Sequence, residues 1–302
     1  MRTEQPSPRY SAIELWTPAE TLDALIEGQF AAVAAVHAAR PALERAAMAV
    51  EERLRAGGRL VYAGAGTSGR LAVQDGAELM PTFSWPAGRL VLLMAGGPEA
   101  LLQAVEGAED EVAVAAGLIE QHRIGKRDAL IAVAASGTTP FTLACLREAA
   151  ARGALTVGIA NNQETPLLQE ADHPIWLDTG AEPIAGSTRM KAGTAQRVAL
   201  TVLSTLLMVR LGRVYQGLMV DLRATNRKLV RRSERMLAQL TGRGEEAVRA
   251  ALREAQGSVK LALLLLEGSR LDAARDALEE TAGDLRAAKA LLTDGKRRRQ
   301  RD

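Results

Sequence analysis

The sequence predicts an α/β fold: a parallel five-stranded sheet sandwiched by helices, with a helical pair ahead of it and a small helical module behind it. Three observations carry this reading. Short apolar runs bounded by glycine (59–63, 90–95, 129–135, 155–160 and 174–177) alternate with helical stretches, the pattern of parallel strands joined by helical crossovers. Two of these runs lead straight into turns of glycine and hydroxyl residues that open helices. The 302 residues, 47% hydrophobic and 25% charged, have the balance of a soluble globular chain, long enough for one large domain with appendages or for two.

In chain order, residues 1–18 are polar and carry Pro6, Pro8 and Pro18, so they read as an extended arm. Helices are predicted over 19–38 and 41–56, where Pro18 and Pro41 stand at helix starts, the one place in a helix that tolerates proline. After the strands, long helices are predicted over 188–215 and 222–240. Beyond Thr241-Gly242-Arg243-Gly244 the composition turns to Ala, Leu, Glu and Arg with no strand signal, and three helices are predicted over 245–256, 258–267 and 271–292. The domain reading is therefore 1–56 for arm and helices, 57–240 for the ligand-binding domain, and 241–302 for a helical module with a basic tail.

Composition excludes several functions. Three each of Phe, Trp and Tyr leave little for base stacking, which argues against nucleic acid. The longest charge-free stretch at helical period, 198–209, is too short to span a bilayer. The first residues show no apolar leader, so a cytoplasmic location is expected. Cys145, the lone cysteine, lies in an apolar helical stretch and reads as a buried structural thiol. His37, His122 and His173 have no metal-ligand spacing, so no metal or other cofactor is expected. The tail, Lys296-Arg297-Arg298-Arg299-Gln300-Arg301-Asp302, reads as a solvated terminus rather than a nucleic-acid patch.

Gly64-Ala65-Gly66-Thr67-Ser68-Gly69 fits G-x-G-x-x-G between a strand and a helix. A dinucleotide site also wants an acid closing the second strand, and the run 90–97 has none before Glu99. The second turn is Ser136-Gly137-Thr138-Thr139-Pro140. Gly66, Gly137 and the hydroxyls of Thr67, Ser68, Ser136, Thr138 and Thr139 would place donors beside the free N–H groups of two helix starts, which suits a phosphate monoester. No lysine follows in Walker spacing, so a nucleoside triphosphate fits poorly. One such turn alone would read as a helix cap; two at the carboxyl ends of strands point to a ligand.

The run from Gly64 to Leu71, continuing through Asp75-Gly76-Ala77-Glu78-Leu79-Met80-Pro81-Thr82-Phe83, resembles the N-acetylmuramic acid 6-phosphate etherases, a sugar isomerase (SIS) fold family. Val105-Glu106-Gly107-Ala108-Glu109-Asp110, the run from Gly186 to Gln196, and Leu218-Met219-Val220-Asp221 with Ala224-Thr225-Asn226 agree with it. The resemblance also extends to the glucokinase regulatory protein, a non-enzymatic relation. The resemblance implies a SIS-type fold and a lyase that removes D-lactate from the C3 ether of a phosphosugar, in peptidoglycan sugar recycling. It implies catalytic roles for Glu78 and Glu109, and it adds Ser187 and Lys191 to the candidate binding residues. Glu78 lies between Ala77, Leu79 and Met80, so desolvation is expected to raise its pKa. The sequence departs from the family pattern at Thr138, where an arginine is usual, at Ala185 and Thr201, and in the arm at Gln5-Pro6-Ser7. A sugar-phosphate sensor and a phosphosugar isomerase are the alternatives. The polar arm and a helix over 188–209 that is apolar on most faces predict a homodimer whose partner helps close the site.

Overall fold

A computed structural model describes residues 1–221 and 227–299, the side chains of Lys228 and of 295–299 excepted. The chain forms two compact units, Met1–Glu78 with Pro86–Leu206, and Leu79–Trp85 with Leu207–Asp302. This partition differs from the boundaries that composition suggests at 56 and 240. Both amino-terminal helices belong to the first unit, and the Gly-rich segment after Thr241 is a turn inside the second.

The first unit is built on five strands in the order β2-β1-β3-β4-β5: β1 Leu60–Gly64, β2 Leu90–Met94, β3 Ala129–Val133, β4 Leu155–Ala160 and β5 His173–Trp176. All neighbours are parallel, with Gly64 opposite both Met94 and Val133. β1, β3 and β4 are buried along their whole length, which is why they read as unbroken apolar runs rather than as alternation. The helices are α1 Pro18–Ala38, α2 Arg40–Arg55, α3 Gly66–Phe83, α4 Val112–Gln121, α5 Pro140–Ala151, α6 Pro166–Glu170 and α7 Lys191–Arg210. α1 starts on a capping box in which the Thr17 hydroxyl accepts from Glu20 N–H and the Glu20 carboxylate accepts from Thr17 N–H. Phe141, Leu146 and Cys145 of α5 pack with Leu130 and Ala132 of β3 in the core. Burial pushes the Cys145 thiol up to about 12, as befits an inert structural group.

The contact between β1 and α3 sets the geometry of the first turn. A Cβ on Gly69 would stand 2.6 Å from the Gly64 carbonyl oxygen and would run into the Met94 sulfur. Below this contact, Tyr62 OH donates to Asp75 Oδ2 at 2.9 Å, and Arg197 of α7 lies 3.6 Å from Asp75 Oδ1. Burial raises the Asp75 pKa, opposed by the hydrogen bonds it accepts from Tyr62, Ser204 and Thr201 and by the charge of Arg197. Strand β1, helix α3 and helix α7 are thus tied by one buried carboxylate.

Four sequence expectations are corrected. The arm is not extended: it folds into 3-10 turns at Arg2–Glu4, Pro8–Tyr10 and Ile13–Leu15, and Thr3 is fully buried. The helix predicted over 188–215 stops at Arg210 and is followed by a hairpin of β6 Val214–Tyr215 and β7 Leu218–Met219. Gln216 and Gly217, both at positive φ, form its two-residue turn, a signal present in the sequence. The helix predicted over 271–292 is two, α11 Leu271–Glu280 and α12 Leu285–Arg299, divided at Ala282 and Gly283, both with positive φ. The length available to cross a bilayer is also greater than the charge-free stretch suggested, because α7 is 20 residues long and apolar enough by composition; 56% of its apolar window is buried inside the protein, where Ala195, Ala199, Leu200 and Leu203 are core.

The remaining helices of the second unit, α8 Arg227–Thr241, α9 Glu245–Glu254 and α10 Val259–Leu266, join α11 and α12 around a core that includes Leu237, Val248, Leu263 and Ala288. The expected helix at 222–240 is described only from Arg227; Ala224, Thr225 and Asn226 lie outside the described residues, as do the tail's last three.

Replacing Gly69 with alanine is expected to push α3 off β1 and to cost about 1–3 kcal/mol of stability, the usual range for overpacking. Urea denaturation checks this, with the midpoint falling at unchanged slope.

Candidate functional site

Because the strands are parallel, every strand-to-helix turn leaves the same end of the sheet, and pairing of β1 with β3 puts two of these turns side by side. The first runs from Gly64 through Gly66, which takes positive φ, into α3, with Thr67 half-buried and Ser68 buried. The second runs from Val133 to Thr139, the residue before α5. Gly137 is buried at positive φ, and a side chain there would strike Thr165. Thr138 N–H donates to Ser136 Oγ at 3.1 Å, and Ser136 Oγ lies 3.3 Å from Thr139 Oγ1. Ser136, Thr138 and Thr139 are each half-buried. The structure therefore gathers the sequence-predicted hydroxyls at two adjacent helix starts, whose N–H groups favour an anion.

The run from Gly186 to Gln196 comes to the same end. A Cβ on Gly193 would stand 3.5 Å from Thr67 Cγ2, so the first turn of α7 lies against the first turn of α3. Ser187 is half-buried in the loop before α7. Lys191 is 6% exposed, its stem runs past Gly28, and it lines a cavity of about 360 Å³ with Arg2, Arg9 and Tyr10 of the arm. Burial pushes the Lys191 pKa down, opposed by the charge of Glu182.

Sequence reasoning missed the residues that hold these loops. Glu182, fully buried, accepts from the N–H groups of Lys191 at 2.9 Å and Ala192 at 2.8 Å, so a carboxylate of the chain itself caps α7. Arg70 donates to the carbonyls of Ala100 and Gln103, fastening the loop after β2 to α3. Asn162, after β4, accepts from Thr3 N–H at 3.2 Å and donates to Thr3 Oγ1 and the Ala135 carbonyl at 2.9 Å each, which ties the arm to the second turn. Only the Arg70 side chain could have been suspected from sequence, as the cation that follows the glycine turn. The others depend on contacts across nine residues or more.

Glu78 and Glu109 are both exposed. The apolar neighbours of Glu78 in sequence do not bury it in the single chain. Ser68, Ala72, Asp75, Leu79 and Phe83 form the buried stripe of α3 at helical period, and Glu78 falls outside it with exposed Ala77 and Met80. Residues adjacent in a helical sequence face different ways. Glu109 sits in a 3-10 turn, Ala108–Asp110, after Gly107 at positive φ; Ala108 anchors that turn in the core next to Phe141.

Residues 42–150 match the glucokinase regulatory protein N-terminal SIS domain, and residues 110–206 match the SIS domain. Over 88% of this chain, and 87% of its own length, the N-acetylmuramic acid 6-phosphate etherase of Deinococcus radiodurans is 54% identical. The chain belongs to the N-acetylmuramic acid 6-phosphate etherase family. The etherase of Streptomyces avermitilis is 47% identical over 81% of this chain and 79% of its own, and that of Rubrobacter xylanophilus 43% over 87% and 88%. Within this etherase family fold, the parallel sheet and flanking helices are those of a SIS domain.

Removing the cap is the test of how α7 is held. Glu182→Ala leaves two buried N–H groups without their acceptor and is expected to cost about 1–3 kcal/mol. Glu182→Gln, which keeps one acceptor oxygen, should lose less; chemical denaturation of both proteins checks the order.

Proposed function

We propose that this chain cleaves the D-lactyl ether of N-acetylmuramic acid 6-phosphate, releasing D-lactate and N-acetylglucosamine 6-phosphate. The observation that carries the reading is the pairing of two hydroxyl-lined helix starts at one end of the sheet in a chain of the etherase family. In this reading Thr67, Ser68, Ser136, Thr138 and Thr139, with Gly66 and Gly137 allowing close backbone approach, hold the 6-phosphate. Ser187 and Lys191 contribute from the adjoining loop, and the cationic Lys191 and Arg2 would receive the lactyl carboxylate in place of the arginine that Thr138 replaces.

The chemistry needs only carboxylates. Once the sugar opens, its aldehyde acidifies the C2 proton. A base removes that proton, the C3–O bond breaks as the C2=C3 double bond forms, and an acid protonates the departing lactyl oxygen. Water then adds at C3 and the proton returns to C2. Glu78 and Glu109 are assigned these two roles. An isomerase would return the proton to C1 and release no lactate, and a sensor would bind without turnover; the family favours neither.

The reading includes a cytoplasmic homodimer. Helix α1 is inverted: its small residues Ala24, Gly28, Ala32 and Ala35 face inward, while Leu22, Ile26, Phe30 and Val33 are exposed, Phe30 at 71%. Four large apolar side chains at helical spacing on the outside suit a protein partner, and a second copy would cover them. A partner over the outer face of α3 would also provide the desolvation that Glu78 lacks alone.

Glu78→Gln keeps shape and removes the titrating proton, so kcat for D-lactate release is expected to fall by roughly 10²–10⁴ with little change in KM. In heavy water the wild-type product should carry deuterium at C2. A folded Glu78→Gln protein that releases lactate at the wild-type rate and still exchanges at C2 would remove Glu78 from the chemistry.

Placing a charge on the α1 stripe tests the assembly. Phe30→Glu is expected to convert a dimer to a monomer in light scattering and to lower activity with it; a fully active wild-type monomer would overturn the homodimer.

A further inference from the structure

A second cationic cavity lies within the carboxy-terminal unit, and it has no part in the reaction derived above. Its volume is about 360 Å³, at the lower end of the range for small-ligand sites. Arg213, Lys260 and Arg275 line it against a single acid, Asp221, with Ser258 at the N-cap of α10 and an apolar wall from Leu261 and Leu278. Two of the cations are largely buried: the Lys260 side chain is 7% exposed and that of Arg213 15%.

These cations are held in place before any ligand arrives. Arg213 donates to the Phe83 carbonyl at 2.7 Å and the Ser84 carbonyl at 3.1 Å, pairs with Asp221 at 2.9 Å, and stacks over Trp85 with 5.0 Å to the ring centroid. Lys260 donates to the Gly283 carbonyl at 2.6 Å and lies 3.2 Å from the same Asp221 oxygen. One carboxylate oxygen thus serves two buried cations. Asp284, whose charge also acts on Lys260, accepts from Ala287 N–H at 3.0 Å and is not among the residues that line the cavity. Burying like charges beside each other is costly unless a counter-charge is shared among them. Asp221 supplies one negative charge where the lining carries three positive ones, the third being exposed Arg275 at the rim.

We infer that this cavity is a binding site for a small phosphate monoester, separate from the phosphate turns at the sheet. The excess of cations matches a group carrying roughly −1.5 to −2 near pH 7 better than it matches a monocarboxylate. Arg213, Lys260 and Arg275 line the cavity, and Ser258, which caps α10 by accepting from Leu261 N–H, lines it beside them. The apolar wall gives room for an organic substituent on the phosphate. The site stands independently of the etherase reading, because none of its residues belongs to that machinery.

Trp85 is a local reporter. In the Trp16→Phe, Trp176→Phe protein it is the sole tryptophan, and inorganic phosphate is the probe. Its emission is expected to change saturably with phosphate. The midpoint should rise at least tenfold in Arg275→Glu, an exposed position whose change should leave the fold intact, and should be unaltered by Ser136→Ala, which weakens the turns at the sheet. As a second readout, phosphate should raise the Tm of the Ser136→Ala protein and lose most of that effect when Arg275→Glu is added. Phosphate effects on both readouts that ignore Arg275→Glu would overturn the site. Tighter binding of D-lactate than of phosphate at Trp85 would overturn the ligand class.

Discussion

Two glycines in van der Waals contact decide where everything at the ligand end stands. Gly64 ends β1 and Gly69 lies in the first turn of α3, and only the absence of side chains lets helix and strand approach this closely. That approach sets Thr67 and Ser68 over the end of the sheet, brings Asp75 within reach of Tyr62, and through Asp75 draws in α7. The loop after β2 is then hung from α3 by Arg70, and the loop after β3 emerges from the strand next door. A substitution here would be felt in the strand order's neighbours as well as in one turn, since three elements share the Asp75 anchor.

Much of the fold was legible in the sequence because its signals are local. Five apolar runs with glycine at their ends became five strands in nearly the expected places, and hydroxyl turns at two of them became adjacent helix starts. What was misread depends on direction or distance. The neighbours of Glu78 are apolar, yet they point to other faces of α3, so linear context overstated its burial. The arm's proline content suggested extension, whereas Thr3 finds its partner at Asn162, far along the chain. The Gln216-Gly217 turn was available to local reasoning and was hidden by the long apolar helix before it.

The two faces of α1 separate what a fold needs from what an assembly needs. Small residues inside let the helix lie close to Lys191 and the residues around Pro183, and the Thr194 hydroxyl donates to Gln29 from α7. Large apolar residues outside do nothing for the single chain. Leu22, Ile26 and Phe30 are exposed in the single chain, and a second copy covering them is part of the proposed reading.

The carboxylate of Glu182 has a further meaning. The helices that follow the strands start at the carboxyl end of the first unit's sheet, and a helix start favours an anion. The α7 start is filled by a tethered carboxylate, and in the proposed reading the 6-phosphate takes the adjoining starts of α3 and α5. The chain thereby carries its own competitive ion, fixed at an effective concentration no solute could match. Under that reading, a sugar phosphate that entered at the α7 start instead would meet like charge.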